Sequence, residues 1–181
     1  MRLVLAASAL AMVAAPTSAF AVDYLSAEQA AKLMFPDADG FDTRNVALDA
    51  AQLQQLAAQG VRGRSATWGV RVARRAGATL GFVVTDDVIG KVELISYAVA
   101  VALDGAVRQI EILSYRESHG HEIRLPAWRR QFVGKGTTAA IRVGEDINNI
   151  SGATLSCTHV TEGVRRIVAV VAAARKSGAL A

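Results

Sequence analysis

From Thr67 to Tyr115 the chain offers one strand-like segment after another, with no helical interval between them. Gly69 to Arg74 alternates, and Thr79 to Thr85 is apolar. Val92 to Leu103 is rich in β-branched and aliphatic residues, and Ala106 to Tyr115 alternates again through Val107, Ile110 and Ile112. The links are short: Asp86-Asp87 reads as a turn, and Asp104-Gly105 is a hairpin signal. Parallel neighbours need a crossover of about a dozen residues or more, for which there is no room. The run predicts an antiparallel sheet, and helices before and after it make the fold class α+β.

The flanking helices announce themselves by their caps and their period. Ser26-Ala27-Glu28-Gln29 fits a capping box, opening a helix that stops near Met34 because Pro36 disfavours helix at Phe35. Asp37 to Gly40 is a turn. Asp49 caps a second helix through Leu53 and Leu56, closed by Gly60, and Arg62 to Ser65 is a loop. Beyond the sheet, Ile123 to Val133 predicts a short helix carrying Trp128 and Phe132, broken at Gly134-Lys135-Gly136, and Ala139 to Val143 predicts one more strand. Val160, Val164, Ile167, Val168 and Val171 repeat at helical spacing and define a closing helix.

The two ends and the charge bound where the chain works. Arg2, the apolar stretch Leu3 to Ala15 and the small residues of Ala19-Phe20-Ala21 form a secretory signal peptide over residues 1–21, with cleavage before Val22. The stretch is too short and alanine-rich for a membrane span, so an exported, periplasmic protein is expected. Residues 22–66 then form an N-terminal helical segment and 67–181 the main domain. Without residues 1–21, the 20 basic and 16 acidic residues become 19 and 16, because that segment holds one Arg and no acid. Arg74-Arg75 and Arg129-Arg130 are isolated pairs, which argues against nucleic acid. The one cysteine, Cys157, cannot close an internal disulfide and suits a small buried residue. With no cysteine set for haem attachment or an iron–sulfur cluster, electron handling would need another cofactor.

Ser151-Gly152-Ala153-Thr154-Leu155-Ser156, at the start of the closing helix, packs three hydroxyls around a glycine. One reading is a plain helix cap, with the Ser151 oxygen accepting from the amide of Ala153 or Thr154. The other uses the same geometry: a helix N-terminus presents free amides and partial positive charge to a phosphate. Gly152 and Ala153 leave room for a bulky group, and a threonine hydroxyl there can bind a phosphate or be esterified to one. Spacing alone does not choose.

Three motifs in order supply the context. The six-residue segment, with Asp146 and Ile150 ahead of it, resembles the attachment motif of the FMN-binding domain family, exported flavin proteins that include the flavin subunits of the sodium-pumping NADH:quinone reductase and Rnf complexes. The Asp104-Gly105 turn leads to Tyr115-Arg116-Glu117-Ser118-His119-Gly120, similar to the Y-R-E-S-x-G loop of short stand-alone members. Trp128, Gln131, Phe132, Gly134 and Lys135 then match W-x-x-Q-F-x-G-K. Larger members read E-T-P-G-L-G where this chain has Glu117 to Glu122, lacking the proline and gaining His119 and His121.

The resemblance implies FMN bound covalently by a phosphoester to Thr154, with Ser151, Gly152, Ala153, Leu155 and Ser156 around the phosphate. Glu117, Ser118, His119 and Gly120 would form the flavin loop, Trp128 would stand near the ring, and Lys135 would offset ring or phosphate charge. It also implies maturation by a magnesium-dependent flavin transferase that uses FAD, and a redox partner protein or membrane electron-transfer complex. The function expected is that of an electron carrier rather than a stand-alone enzyme; the alternatives are an FMN-dependent reductase acting directly on a substrate and a non-redox periplasmic binding module. His119, His121, Glu117 and Glu122 lack a convincing third ligand for a metal, so none is assigned. Asp87, Ile89, Gly90 and Lys91, matching a D-x-x-I-G-K segment of short members, read as a turn without chemistry.

Overall fold

The computed structural model describes residues 22–180; residues 1–21, read above as a signal peptide, lie outside the described residues. Six antiparallel strands form one sheet in the order β1-β6-β5-β4-β3-β2. They are β1 Val22–Asp23, β2 Gly40–Ala47, β3 Thr67–Arg75, β4 Ala78–Ile89, β5 Leu94–Ala102 and β6 Val107–Tyr115. The α-helices are α1 Ala27–Met34, α2 Ala50–Ala58, α3 Pro126–Arg129 and α4 Thr154–Lys176. From β2 to β6 each strand pairs with the next, the meander that short links impose. The α+β expectation holds.

Register decides which face buries what. Val70 pairs with Val84, Val84 with Val99 and Val99 with Ile110, so one row of fully buried aliphatics crosses four strands. That face packs on Val160, Val164, Ile167 and Val171 of α4. The opposite face carries Ala73, Val83, Ala98, Ala100 and Leu113 and is covered by Ala30, Ala31, Met34 and Phe35 of α1. Both early helices start where their caps were read: Ser26 and Asp49 each accept from the amide three residues on, at 3.1 and 2.8 Å, with the reciprocal glutamine bond present. Among the described residues no helix is long and apolar enough to cross a membrane.

Four local expectations are corrected. Strands do not begin at Thr67: residues 22–66 contain β1 and β2, and β2 escapes a hydrophobic reading because Asp42 to Asn45 lie exposed at the sheet's edge. Asp86-Asp87 is not a turn, since β4 runs through it, pairing Asp86 with Tyr97 and Asp87 with Ser96. The turn falls at Gly90 to Glu93, closed by Gly90 N donating to Glu93 O at 2.8 Å. Ala139 to Val143 is not a strand; the Asp146 carboxylate accepts from Ile141 N and Arg142 N at 3.1 and 2.8 Å, taking amides that a strand would give to a neighbour. The short helix expected within Ile123 to Val133 is α3 and carries Trp128, but Phe132 falls outside it, on the second of two flanking 3-10 turns, His121–Arg124 and Arg130–Phe132.

Asp86 is tolerated inside the sheet because its partners come from elsewhere. Its Oδ2 accepts from the Tyr97 hydroxyl at 2.9 Å and from Arg166 Nη2 of α4 at 3.3 Å. Burial, then the Asp86 carboxylate, holds the Tyr97 hydroxyl well above the usual tyrosine range, so it stays a donor. Gly163 makes room for it: a Cβ built there would lie 1.8 Å from the Tyr97 oxygen. Gly163→Ala should therefore lower stability by about 1–3 kcal/mol in urea unfolding, the usual range for an overpacked core. A variant as stable as the parent would show that α4 does not seat on Tyr97 in this way.

Candidate functional site

The start of α4 is built to be open. Ala153, not Ser151, is the N-cap, and no side chain caps the terminus. Gly152 takes φ +83° and lets Ala153 N bond back to Ile150 O at 3.0 Å, while Cys157 N is the first amide to reach Ala153 O, at 2.9 Å. The amides of Thr154, Leu155 and Ser156 lie in the helix's first turn, where no intrahelical acceptor exists. The partial positive charge of a long helix adds to them.

The three hydroxyls are not equivalent. Ser151 is exposed, before the helix. Ser156 is 4% exposed and shares a 3.2 Å hydrogen bond with the Tyr115 hydroxyl, so it is committed to the interior. Thr154 is exposed on the first turn, its Oγ1 accepting from Asn149 Nδ2 at 3.0 Å. Across from it stands the loop after β6. Together Glu117, Ser118 and His119 on that loop, Gly152 to Ser156, and Lys91 of the β4–β5 turn line a cleft of about 280 Å³. A larger cleft, about 590 Å³, lies between α1 and β2–β3. The smaller one is the site because the uncapped amides of α4 and the exposed Thr154 hydroxyl meet there.

The facing loop is fixed at several points. Glu117, 7% exposed, accepts through Oε1 from Val92 N at 2.7 Å and Glu93 N at 2.9 Å, which clasps the β4–β5 turn against the loop. Burial alone would raise its carboxyl pKa, but the amides of Glu93, Val92 and Lys91 outweigh it and hold the group below the usual glutamate value. The Tyr115 hydroxyl donates to the His119 carbonyl. Gly120, at φ +92°, lies so near Ala153 that an added Cβ would sit 2.6 Å from the Ala153 Cβ. The Ser118 hydroxyl and His119 Nδ1 are 2.9 Å apart.

Four of the expected site residues do not line the cleft: Ser151 and Gly120 lie beside it, and Trp128 and Lys135 lie elsewhere. Trp128 is buried, edge-on to Phe132 with ring centroids 5.0 Å apart, and does not line the cleft. Its Nε1 donates to Asn148 O at 2.9 Å, and Gln131 accepts from Asn148 N at 2.8 Å. The W-x-x-Q segment thus holds the backbone beside Asn149, the partner of Thr154. Lys135 pairs with Asp146 at 3.0 Å and braces the loop before it. Asn149 and Lys91 join the site without having been singled out for it. Lys91 stood inside the D-x-x-I-G-K match, but nothing in the sequence placed that turn over α4.

The arrangement is an anion cradle with one available hydroxyl, and residues 90–169 match the family model of the FMN-binding domain. The chain carries an FMN-binding domain. Gly90 to Ala169 contains the β4–β5 turn, the loop after β6 and most of α4, and with them every residue lining the cleft. The fold is shared with the crystal structure of NqrC from Shewanella oneidensis, at a TM-score of 0.53 and 16% identity, covering 77% of this chain and 82% of that one. No curated protein matches the sequence.

Glu117→Gln should lower stability by about 1–3 kcal/mol near neutral pH, because charge-assisted bonds to two amides become neutral ones. The folded carboxyl pKa is depressed, so its contribution is present above the unfolded value and fades as pH falls through the folded one. Urea unfolding across the acid range should show the gap between parent and variant closing on acidification. A gap that widens would contradict the clasp.

Proposed function

We propose that this is an exported electron-transfer protein carrying FMN covalently, the flavin phosphate esterified to Thr154 Oγ1. One observation carries the reading: of the three hydroxyls at the α4 terminus, Thr154 alone stands exposed in a cleft over the uncapped amides. Asn149 Nδ2 suits either state of that oxygen, since a donor serves an ester oxygen as well as a hydroxyl. Lys91 adds a cation for the phosphate, and Gly152 and Ala153 leave its approach open.

Bound FMN would supply redox chemistry in one- or two-electron steps, and the chain's part is to hold, orient and screen it. The clasp at Glu117 and the Tyr115 bond fix the loop that faces Thr154, so the group would be held between two walls. A covalent bond suits an exported protein, which cannot replace a lost cofactor from the cytoplasm. The signal-peptide pattern of residues 1–21 supports export to the periplasm. Maturation falls to a magnesium-dependent flavin transferase using FAD, and the electrons pass to or from a protein partner or a membrane complex.

The test is the mass of denatured protein made with a flavin transferase. The parent and Ser151→Ala should gain the mass of one FMN moiety and a yellow chromophore that survives acid precipitation. Thr154→Val should keep the same far-ultraviolet dichroism and gain neither. A parent without added mass, or a label retained in Thr154→Val, would overturn the assignment.

A further inference from the structure

We propose that His119 is the proton-exchanging group of the cleft, hydrogen-bonding the bound flavin ring through Nε2 and giving up its proton as the ring is reduced. This rests on the reading of the cleft as an FMN site. His119 lines the same cavity as Thr154 and Lys91. Its Nδ1 is taken by the Ser118 hydroxyl at 2.9 Å, which leaves Nε2 for the contents of the cleft. When Ser118 donates to Nδ1, Nε2 carries the proton of the neutral ring; in the imidazolium both nitrogens carry one.

The imidazole is exposed to solvent, yet its backbone is held on both sides. Glu117 ahead of it is clasped by the amides of Val92 and Glu93, its own carbonyl accepts from Tyr115, and Gly120 behind it abuts Ala153. Such a group can trade protons with water without losing its position. The ionisable neighbours are few. Lys91 and Glu117 share the cleft, Arg116, Glu122 and His121 belong to the same loop, and Tyr115 and Cys157 lie beneath it. Glu117 is kept deprotonated by backbone amides and so is a poor proton source. His121 packs edge-on to the Tyr115 ring and does not line the cavity. Imidazole is the side chain whose ordinary titration falls between about pH 5 and 8.

The exchange balances simply. Two electrons arrive singly from a one-electron donor protein. In its imidazolium form His119 would give the Nε2 proton to the bound flavin ring, keep the Nδ1 proton donated to the Ser118 oxygen, and recover a proton from water, for a net uptake of two electrons and one proton. Re-oxidation reverses each transfer. Because a protonated His119 favours the electron-rich ring, acidification should raise the reduction potential.

The test is a potentiometric titration of flavin absorbance, from about pH 5 to 8, on protein loaded with the help of a flavin transferase. Parent, His119→Gln, Lys91→Gln and Ser118→Ala are compared. The parent and His119→Gln curves should meet at high pH and separate at low pH by a tenfold shift in the reduction equilibrium, about 30 mV for a two-electron couple. Lys91→Gln should displace the curve equally at every pH, the mark of a fixed charge. Should His119→Gln not load, Ser118→Ala decides: losing the Nδ1 partner moves the break in the curve if His119 carries it, and leaves it in place if not. Superposed or parallel curves for parent and His119→Gln overturn the proposal while leaving the cofactor reading intact. A parent that takes up no flavin overturns both.

Discussion

One buried hydroxyl, that of Tyr115, ties the two walls of the cleft together. It donates to the His119 carbonyl on the loop after β6 and accepts from the Ser156 hydroxyl on the first turn of α4. Burial outweighs the Ser156 bond and raises the Tyr115 pKa, so the proton it donates is not lost. Everything the site does depends on those walls keeping their spacing. The uncapped amides of α4 face a loop that Glu117 anchors to the β4–β5 turn and Tyr115 ties to α4, and the exposed hydroxyl of Thr154 is defined by contrast with the committed one of Ser156.

The same logic runs outward. Trp128 and Gln131 hold Asn148, Asn149 holds the Thr154 oxygen, and Lys135 with Asp146 braces the segment before them. Residues that look like ring or phosphate contacts in a motif serve here as scaffolding for the contact residue. The cleft is small beside the one between α1 and β2–β3, where Glu28, Lys32, Asp39 and Arg71 gather but the helix start is capped by Ser26; size is the weaker guide when free amides and an accessible nucleophile are what the chemistry requires.

Local signals were legible in the sequence, and long-range ones were not. The capping boxes at Ser26 and Asp49, the Asp104-Gly105 hairpin and the period of α4 are each written within a few residues, and each appears as read. β2 failed because an edge strand facing solvent needs no hydrophobic alternation. Asp86 was mistaken for a turn residue because its partners lie far along the chain, Arg166 by 80 positions. The stretch from Ala139 failed because the Asp146 side chain substitutes for a neighbouring strand. At the site, the α4 start and residues Glu117 to His119, both singled out in the sequence, line one cleft. Residue spacing alone could not show which hydroxyl stands free, since that depends on Tyr115 reaching Ser156 across 41 positions.

The central claim is a bond between phosphorus and Thr154 Oγ1, and phosphorus resonance of the flavin-loaded protein reads it directly. A phosphate monoester takes a second ionisation near pH 6, so dissociable FMN shows a resonance that moves across about pH 5 to 8. A phosphodiester has no such proton. The account predicts one resonance from the parent protein that stays fixed over that range; a resonance that titrates would contradict it.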